Sequence, residues 1–168
     1  MRSLRLLFPF LLLLYALPAR ASDIIDMTVS GLNCSGNGST PTAITLSGWS
    51  WGSTDTPPAG IASSGKIALS QFTVQKSFDT CSPDMLNLYL SETRLGTVTL
   101  SQTRNTAEHP VVAQVVLTNA WFASYSVGGS QTSPASETWT LSFDKVCVSL
   151  YTQNPNGTSK LGSTVCYP

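Results

Sequence analysis

The side chains able to do chemistry are few. They are cysteines at 34, 81, 147 and 166, one histidine at 109, and nine carboxylates spread along 168 residues. A zinc site needs closely spaced ligands such as Cys-x-x-Cys or a Cys/His cluster, and neither occurs. His109 lies in a polar stretch between Glu108 and Pro110, with no Gly-x-Ser-x-Gly elbow anywhere in the chain. A lone histidine in that setting reads as solvated, not catalytic. The carboxylates (Asp23, Asp26, Asp55, Asp79, Asp84, Glu92, Glu108, Glu137 and Asp144) are scattered, and nothing in their spacing selects the facing pair a glycosidase requires. No glycine-rich phosphate loop is present. The sequence therefore assigns no catalytic residue, no metal and no cofactor, and the expectation is a protein that is not an enzyme.

The cysteines then read as disulfides. Four of them allow three connectivities, and the C-terminal segment narrows the choice. Asn156-Gly157 is a strong hairpin-turn signal, and a two-residue turn there pairs residues whose numbers sum to 313. Cys147 and Cys166 meet that sum. Counting outward from the turn puts them at a hydrogen-bonded position, where Cα atoms stand about 5.5 Å apart. This is within disulfide reach, although a bulge would shift the register. Cys34 with Cys81 follows by elimination.

Trp49 and Trp51 are the other candidates. Residues two apart on a strand share a face, so the pair could form a stacking platform for a sugar. Ile44 and Leu46 lie on the opposite parity, which favours a packed aromatic or subunit contact. Gly48 and Gly52 beside them mark a bend or a close backbone approach.

The elements that must position these residues are mostly strands. From Ile24 onward apolar residues alternate, and Gly, Ser, Asn and Pro separate the runs. The pattern predicts strands over Ile25 to Val29, Ala43 to Trp51, Lys66 to Lys76, Gly96 to Arg104, Val111 to Ser126, Glu137 to Tyr151 and Lys160 to Cys166, enough for a barrel or sandwich. One helix interrupts them. Ser82-Pro83-Asp84 supplies a capping hydroxyl, a ring that needs no N–H and a carboxylate for the dipole, opening a helix over Met85 to Thr93 that ends before Gly96. Gly52 to Gly65, which contains Pro57-Pro58, and Gly128 to Ser136 read as long loops of the kind a partner orders.

The N-terminus reads as a signal peptide. Arg2 and Arg5 precede an apolar run from Leu6 to Ala16, and Ala19-Arg20-Ala21 offers a cleavage site. Eleven apolar residues fall short of the roughly 20 a membrane helix needs. The expected domains are a signal peptide at 1–21 and one β-domain at 22–168, with the mature protein secreted or periplasmic and off the membrane. Loss of Arg2, Arg5 and Arg20 takes the basic count from 9 to 6 against 9 acidic groups, a net charge of about −3. No basic footprint for nucleic acid is left.

Several segments in order carry a family likeness: "GWSWG" at Gly48 to Gly52, "GKIALSQFTVQKSFDTCSPDML" at Gly65 to Leu86, "TVTLSQT", "VVLTNAWFASYSVGG", and "PASETWTLSFDKVCVSLYTQNPNG" at Pro134 to Gly157. Over residues 43 to 157 the chain resembles the haemolysin-coregulated protein family, Hcp, the tube subunit of type VI secretion systems. The resemblance implies a mainly β fold, a β-barrel of two sheets with one flanking α-helix. It also implies self-association into a six-membered ring around a wide channel, with rings stacking into a tube that carries protein cargo. By position, Gly52, Ser53, Thr54, Asp55, Thr56, Pro57 and Pro58 match the family's extended loop toward the next ring. Two features depart from the pattern: the leader and the four cysteines. The competing expectation is a monomeric extracytoplasmic module that binds a glycan or a protein partner.

Overall fold

The computed structural model describes residues 22–34, 43–56 and 66–168. The segment read as a leader, 1–21, lies outside them, as do Pro57 and Pro58. Among the described residues eleven strands and one helix follow in chain order: β1 (Ile24–Val29), β2 (Ile44–Thr45), β3 (Gly48–Ser50), β4 (Ser53–Thr56), β5 (Lys66–Leu69), β6 (Phe72–Ser77), α1 (Ser82–Leu90), β7 (Gly96–Thr103), β8 (Val111–Ser130), β9 (Ser133–Ser142), β10 (Lys145–Gln153) and β11 (Ser159–Tyr167). Fold class is as expected: mainly β, antiparallel, with a single short helix.

β8 organises the molecule. Its first half pairs with β7 and β10, and its second half pairs with β9. One sheet thus runs β2-β1-β7-β8-β10-β11 and the other β3-β6-β9-β8, joined through that strand. The handover falls at Asn119, which takes a left-handed φ of 51°. Strands that change sheet do so at such bends, because the corner must turn the backbone without breaking its pairing. Between the sheets lie Met27, Val29, Ile44, Phe72, Val74, Val98, Leu117, Trp139 and Leu141, each at most 2% exposed. Trp139 sits at the centre, its ring 4.8 Å from Phe122, 4.2 Å from Tyr125 and 6.3 Å from Tyr89.

Three of the expected strands are broken at corners. The run Ala43 to Trp51 crosses between sheets: Leu46 N–H donates to Ile25 O on β1, and the next amide, Ser47 N–H, to Gln75 O on β6, each at 2.8 Å. Lys66 to Lys76 breaks at Ser70–Gln71, and Glu137 to Tyr151 at Phe143–Asp144. At each corner the apolar parity shifts, from Ile44 and Leu46 to Trp49 and Trp51, from Leu69 to Phe72 and Val74, and from Leu141 to Val146 and Val148, and a bulge within one strand shifts the parity in the same way. Gly128 to Ser136, expected as a loop, is instead the end of the β8–β9 hairpin, turning only at Gln131–Thr132. From Val127 to Pro134 every residue is exposed. A ribbon wet on both faces needs no apolar alternation and leaves none to read.

The helix begins at Ser82 with Cys81 as N-cap, and no side-chain hydroxyl caps it. Asp79 Oδ1 accepts the Cys81 N–H at 2.8 Å instead, and Pro83 occupies the first turn. The helix stops at Leu90, with Ser91 closing it, earlier than the expected Thr93. Ser82 has other work, described below.

Candidate functional site

β4 and β5 make a two-stranded ribbon of their own, Ser53 facing Leu69 and Thr56 facing Lys66, and among the described residues they pair with no strand of the main sheet. Its root is pinned where Ser70 Oγ accepts the Gly52 N–H at 2.9 Å and donates to Gly52 O at 2.7 Å. Part of what reads as a loop is therefore paired strand. Ser53, Thr54, Asp55 and Thr56 lie on it.

Trp49 and Trp51 do not form a shared platform. β3 ends at Ser50, so the two indoles leave from different backbone settings. Trp49 stacks on Phe72 at 5.3 Å with 14° between the planes, and remains 37% exposed. Trp51 is half-buried against the core, and its buried indole N–H has no acceptor among the described residues.

Both disulfides are formed: Cys34–Cys81, joining the segment after β1 to the helix start, and Cys147–Cys166, joining β10 to β11. The hairpin between β10 and β11 reaches its pairing by two compensating departures. Asn154 N–H bonds Thr158 O, so the turn holds three residues, Pro155-Asn156-Gly157, with Gly157 at φ 83°. Facing residue numbers there sum to 312, as in Tyr151 facing Leu161. A bulge between Leu150 and Tyr151 then adds one residue on β11, and Cys147 faces Cys166. Gly162 occupies the bulge, where a Cβ would come within 3.2 Å of Leu150 O. The cysteine Cα atoms are 4.0 Å apart, close to the roughly 4.5 Å of a non-hydrogen-bonded pair and not the 5.5 Å expected.

Sequence reasoning missed the charged knot under the helix. Lys76 Nζ lies 2.8 Å from Glu137 Oε2, 2.8 Å from Asp79 Oδ1, 2.8 Å from Ser77 O and 3.0 Å from Ser82 Oγ. Ser82 Oγ donates to Glu137 Oε2 at 2.8 Å, and Tyr125 hydroxyl to Glu137 Oε1 at 3.1 Å. Burial, and then the hydrogen bond and charge of Glu137, push the Tyr125 hydroxyl above its ordinary pKa. Lys76, Ser82 and Glu137 are at most 1% exposed, so no substrate reaches them. The knot fastens β6, β8, β9 and α1 together. A signal for it existed: Lys76 follows Phe72 and Val74 on the buried parity, and Glu137 precedes Trp139 and Leu141 on theirs.

A second unforeseen feature is an open depression of about 670 Å³ beside the helix end, where Arg94 lies 3.8 Å over the Trp121 ring. His109 stands exposed on a turn, and among the described residues no group of three or more His, Cys, Asp or Glu could hold a metal. No helix there is long and apolar enough to cross a membrane.

Comparison with known proteins decides which fold family this is. The model of the family described as type VI secretion system effector, Hcp, matches residues 27–149. The chain belongs to the Hcp family. Members are secreted, non-enzymatic tube proteins of type VI secretion. Among solved structures, a type six secretion system protein superposes with a TM-score of 0.69 at 18% identity, covering 86% of this chain and 92% of that one. A type VI secretion system effector from Yersinia pestis gives 0.65 at 16% identity over 85% and 98%. Hcp1 from Salmonella typhimurium gives 0.64 at 18% identity over 86% and 93%. At such identities the likeness establishes the Hcp fold. No curated protein sequence matches significantly.

Proposed function

We propose that this Hcp-family chain is an exported structural subunit, mature from Ser22, that assembles head to tail into six-membered rings able to stack and to enclose protein cargo. The observation that carries the reading is the β4–β5 ribbon. It is rooted by Ser70 and Gly52 and, among the described residues, pairs only with itself, and by the resemblance it corresponds to the family's extended loop. An isolated two-stranded ribbon is marginally stable and gains its stability from whatever it lies against. In a stacked assembly that is the next ring. Two disulfides suit an oxidising compartment, which agrees with the signal-peptide reading of residues 1–21. The rival module that binds through Trp49 and Trp51 finds less support, since one indole is stacked on Phe72 and the other is packed inward.

The test is the mass of residues 22–168, purified from an oxidising compartment, by light scattering over a concentration series. A mass near six subunits, or growing beyond it, is expected. A monomer at every concentration overturns the assembly reading and leaves the fold untouched. Mass spectrometry of the exported chain is expected to place its N-terminus at Ser22.

A further inference from the structure

The depression beside the helix end has a floor and a wall from different elements. The floor is the β8–β9 pair. Trp121 stands on the parity of β8 opposite to the buried Ala120 and Phe122, so its indole leaves the core. The residue facing it, Ser142, is tied to Gln71, whose Nε2 donates to Ser142 Oγ at 2.9 Å. The wall is the last turn of α1 and the segment after it, from which Leu90, Glu92 and Arg94 line the same space. Leu90 is 71% exposed there.

Arg94 is held in place without a carboxylate. Its guanidinium carbon lies 3.8 Å from the centre of the Trp121 ring, and Nη1 donates to Asn119 O at 3.2 Å. A guanidinium over an indole still presents edge N–H groups to a planar anion, which it grips through parallel hydrogen bonds. Glu92 is fixed by the backbone instead. Thr93 N–H donates to Leu88 O at 3.0 Å and Glu92 N–H to Tyr89 O at 3.1 Å, the two bonds of a Schellman motif. They put Glu92 at φ 50°, the left-handed position that glycine usually fills. A carboxylate kept there against that preference is a local rule broken, and such breaks gather where a protein binds something. Arg94 and Glu92 line one depression, yet among the described residues neither enters an ion pair.

We infer that the depression binds a zwitterion with an apolar side chain, a free α-amino acid or a short peptide. Its carboxylate lies on Arg94, its ammonium on Glu92 and its side chain against Leu90 and Trp121. An anion alone would meet the Glu92 carboxylate and a cation alone the Arg94 guanidinium, so a ligand carrying both charges is the one that satisfies both walls. The volume of about 670 Å³ falls within the roughly 300 to 1,000 Å³ of small-ligand sites. The site is complete within one chain and independent of the assembly reading. Its charges are exposed to water, which sets the affinity at a dissociation constant on the order of 1 mM.

The experiment titrates the oxidised mature chain with L-leucine and with trileucine, following by NMR the indole N–H signal of Trp121, assigned through Trp121→Phe. That signal is expected to move and saturate, and the probe that saturates it at the lower concentration tells a free amino acid from a chain. N-acetyl-leucine and leucinamide are each expected to bind several-fold more weakly than leucine. Glu92→Gln is expected to erase the penalty of acetylation alone, and Arg94→Gln that of amidation alone. Both substitutions replace exposed side chains, and a merely structural role would leave both penalties in place. A Trp121 signal unmoved by either probe at tens of millimolar overturns the inference. So do blocked forms that bind as tightly as leucine, or penalties that persist in both variants.

Discussion

The knot at Lys76 and the hairpin at Cys147–Cys166 both hold strands together, by opposite means. At the knot four elements converge, and Lys76 and Glu137 are wholly enclosed and hydrogen-bonded, so their tie is non-covalent and depends on exclusion of water, with Asp79 reaching Lys76 from the surface. On the hairpin one strand lies in the open, and a covalent bond does what burial does elsewhere. The lesson is that a polar tie depends on its surroundings: ammonium and carboxylate in contact stabilise little at a surface and cannot be separated in a core.

The largest effect of a single substitution on this contrast is at Glu137. Glu137→Ala strips Lys76 of its buried counter-charge and leaves it only Asp79, whose side chain is 42% exposed, and unfolding titrations are expected to show a loss of about 3 kcal/mol. Replacing both Lys76 and Glu137 with Met is expected to cost less than that single change, since no charge is then stranded. A double variant as unstable as Glu137→Ala would mean that shape, not charge, governs the knot.

The disulfides come next. For loops of their lengths the chain-entropy account gives about 4 kcal/mol for Cys34–Cys81 and about 3 kcal/mol for Cys147–Cys166, separated by 47 and 19 residues. Their locations divide the outcome further. Cys81 is buried at the helix start, so Cys34→Ser with Cys81→Ser is expected to lower the stability of the whole domain. Cys147→Ser with Cys166→Ser is expected to speed amide exchange in β11 first, with the Trp139 core still protected. Uniform loss of protection would show that the hairpin is part of the core's cooperative unit.

Smaller effects sharpen the comparison. Gly157→Ala places a side chain at φ 83°, with a cost of about 1 kcal/mol expected in the hairpin. Tyr125→Phe removes one hydrogen bond from the knot, also about 1 kcal/mol or less. It carries a pH signature as well. The Tyr125 pKa is raised in the folded state, so the folded chain keeps a proton that the unfolded chain releases, and stability falls as pH climbs past 10. That alkaline decline is expected to be shallower in Tyr125→Phe, and an identical slope would remove Tyr125 as its cause.

Much of this was legible in the residues themselves. Alternation found the β-structure, Ser82-Pro83-Asp84 found the helix, and the order of segments from Gly48 to Gly157 found the family. Each depends on local spacing, which a linear chain displays. The Cys147–Cys166 facing was reached through a turn one residue too short and without the bulge at Gly162, two departures that cancel, because a hairpin's register is fixed by the sum of its irregularities. The corners at Ser47, Ser70 and Phe143 show in the sequence only as a shift of apolar parity, which a bulge within a single strand also produces. The Lys76–Glu137 knot was invisible as a contact, its members lying 61 residues apart.

By itself, then, the sequence determined the mainly β class, the place of the helix and the cysteines available for bridging. Where the chain changes sheet, which charges meet in the interior and which strand is left with an open edge were decided by tertiary structure alone. Those depend on what packs against each residue from distant parts of the chain, and spacing along the backbone carries no record of that.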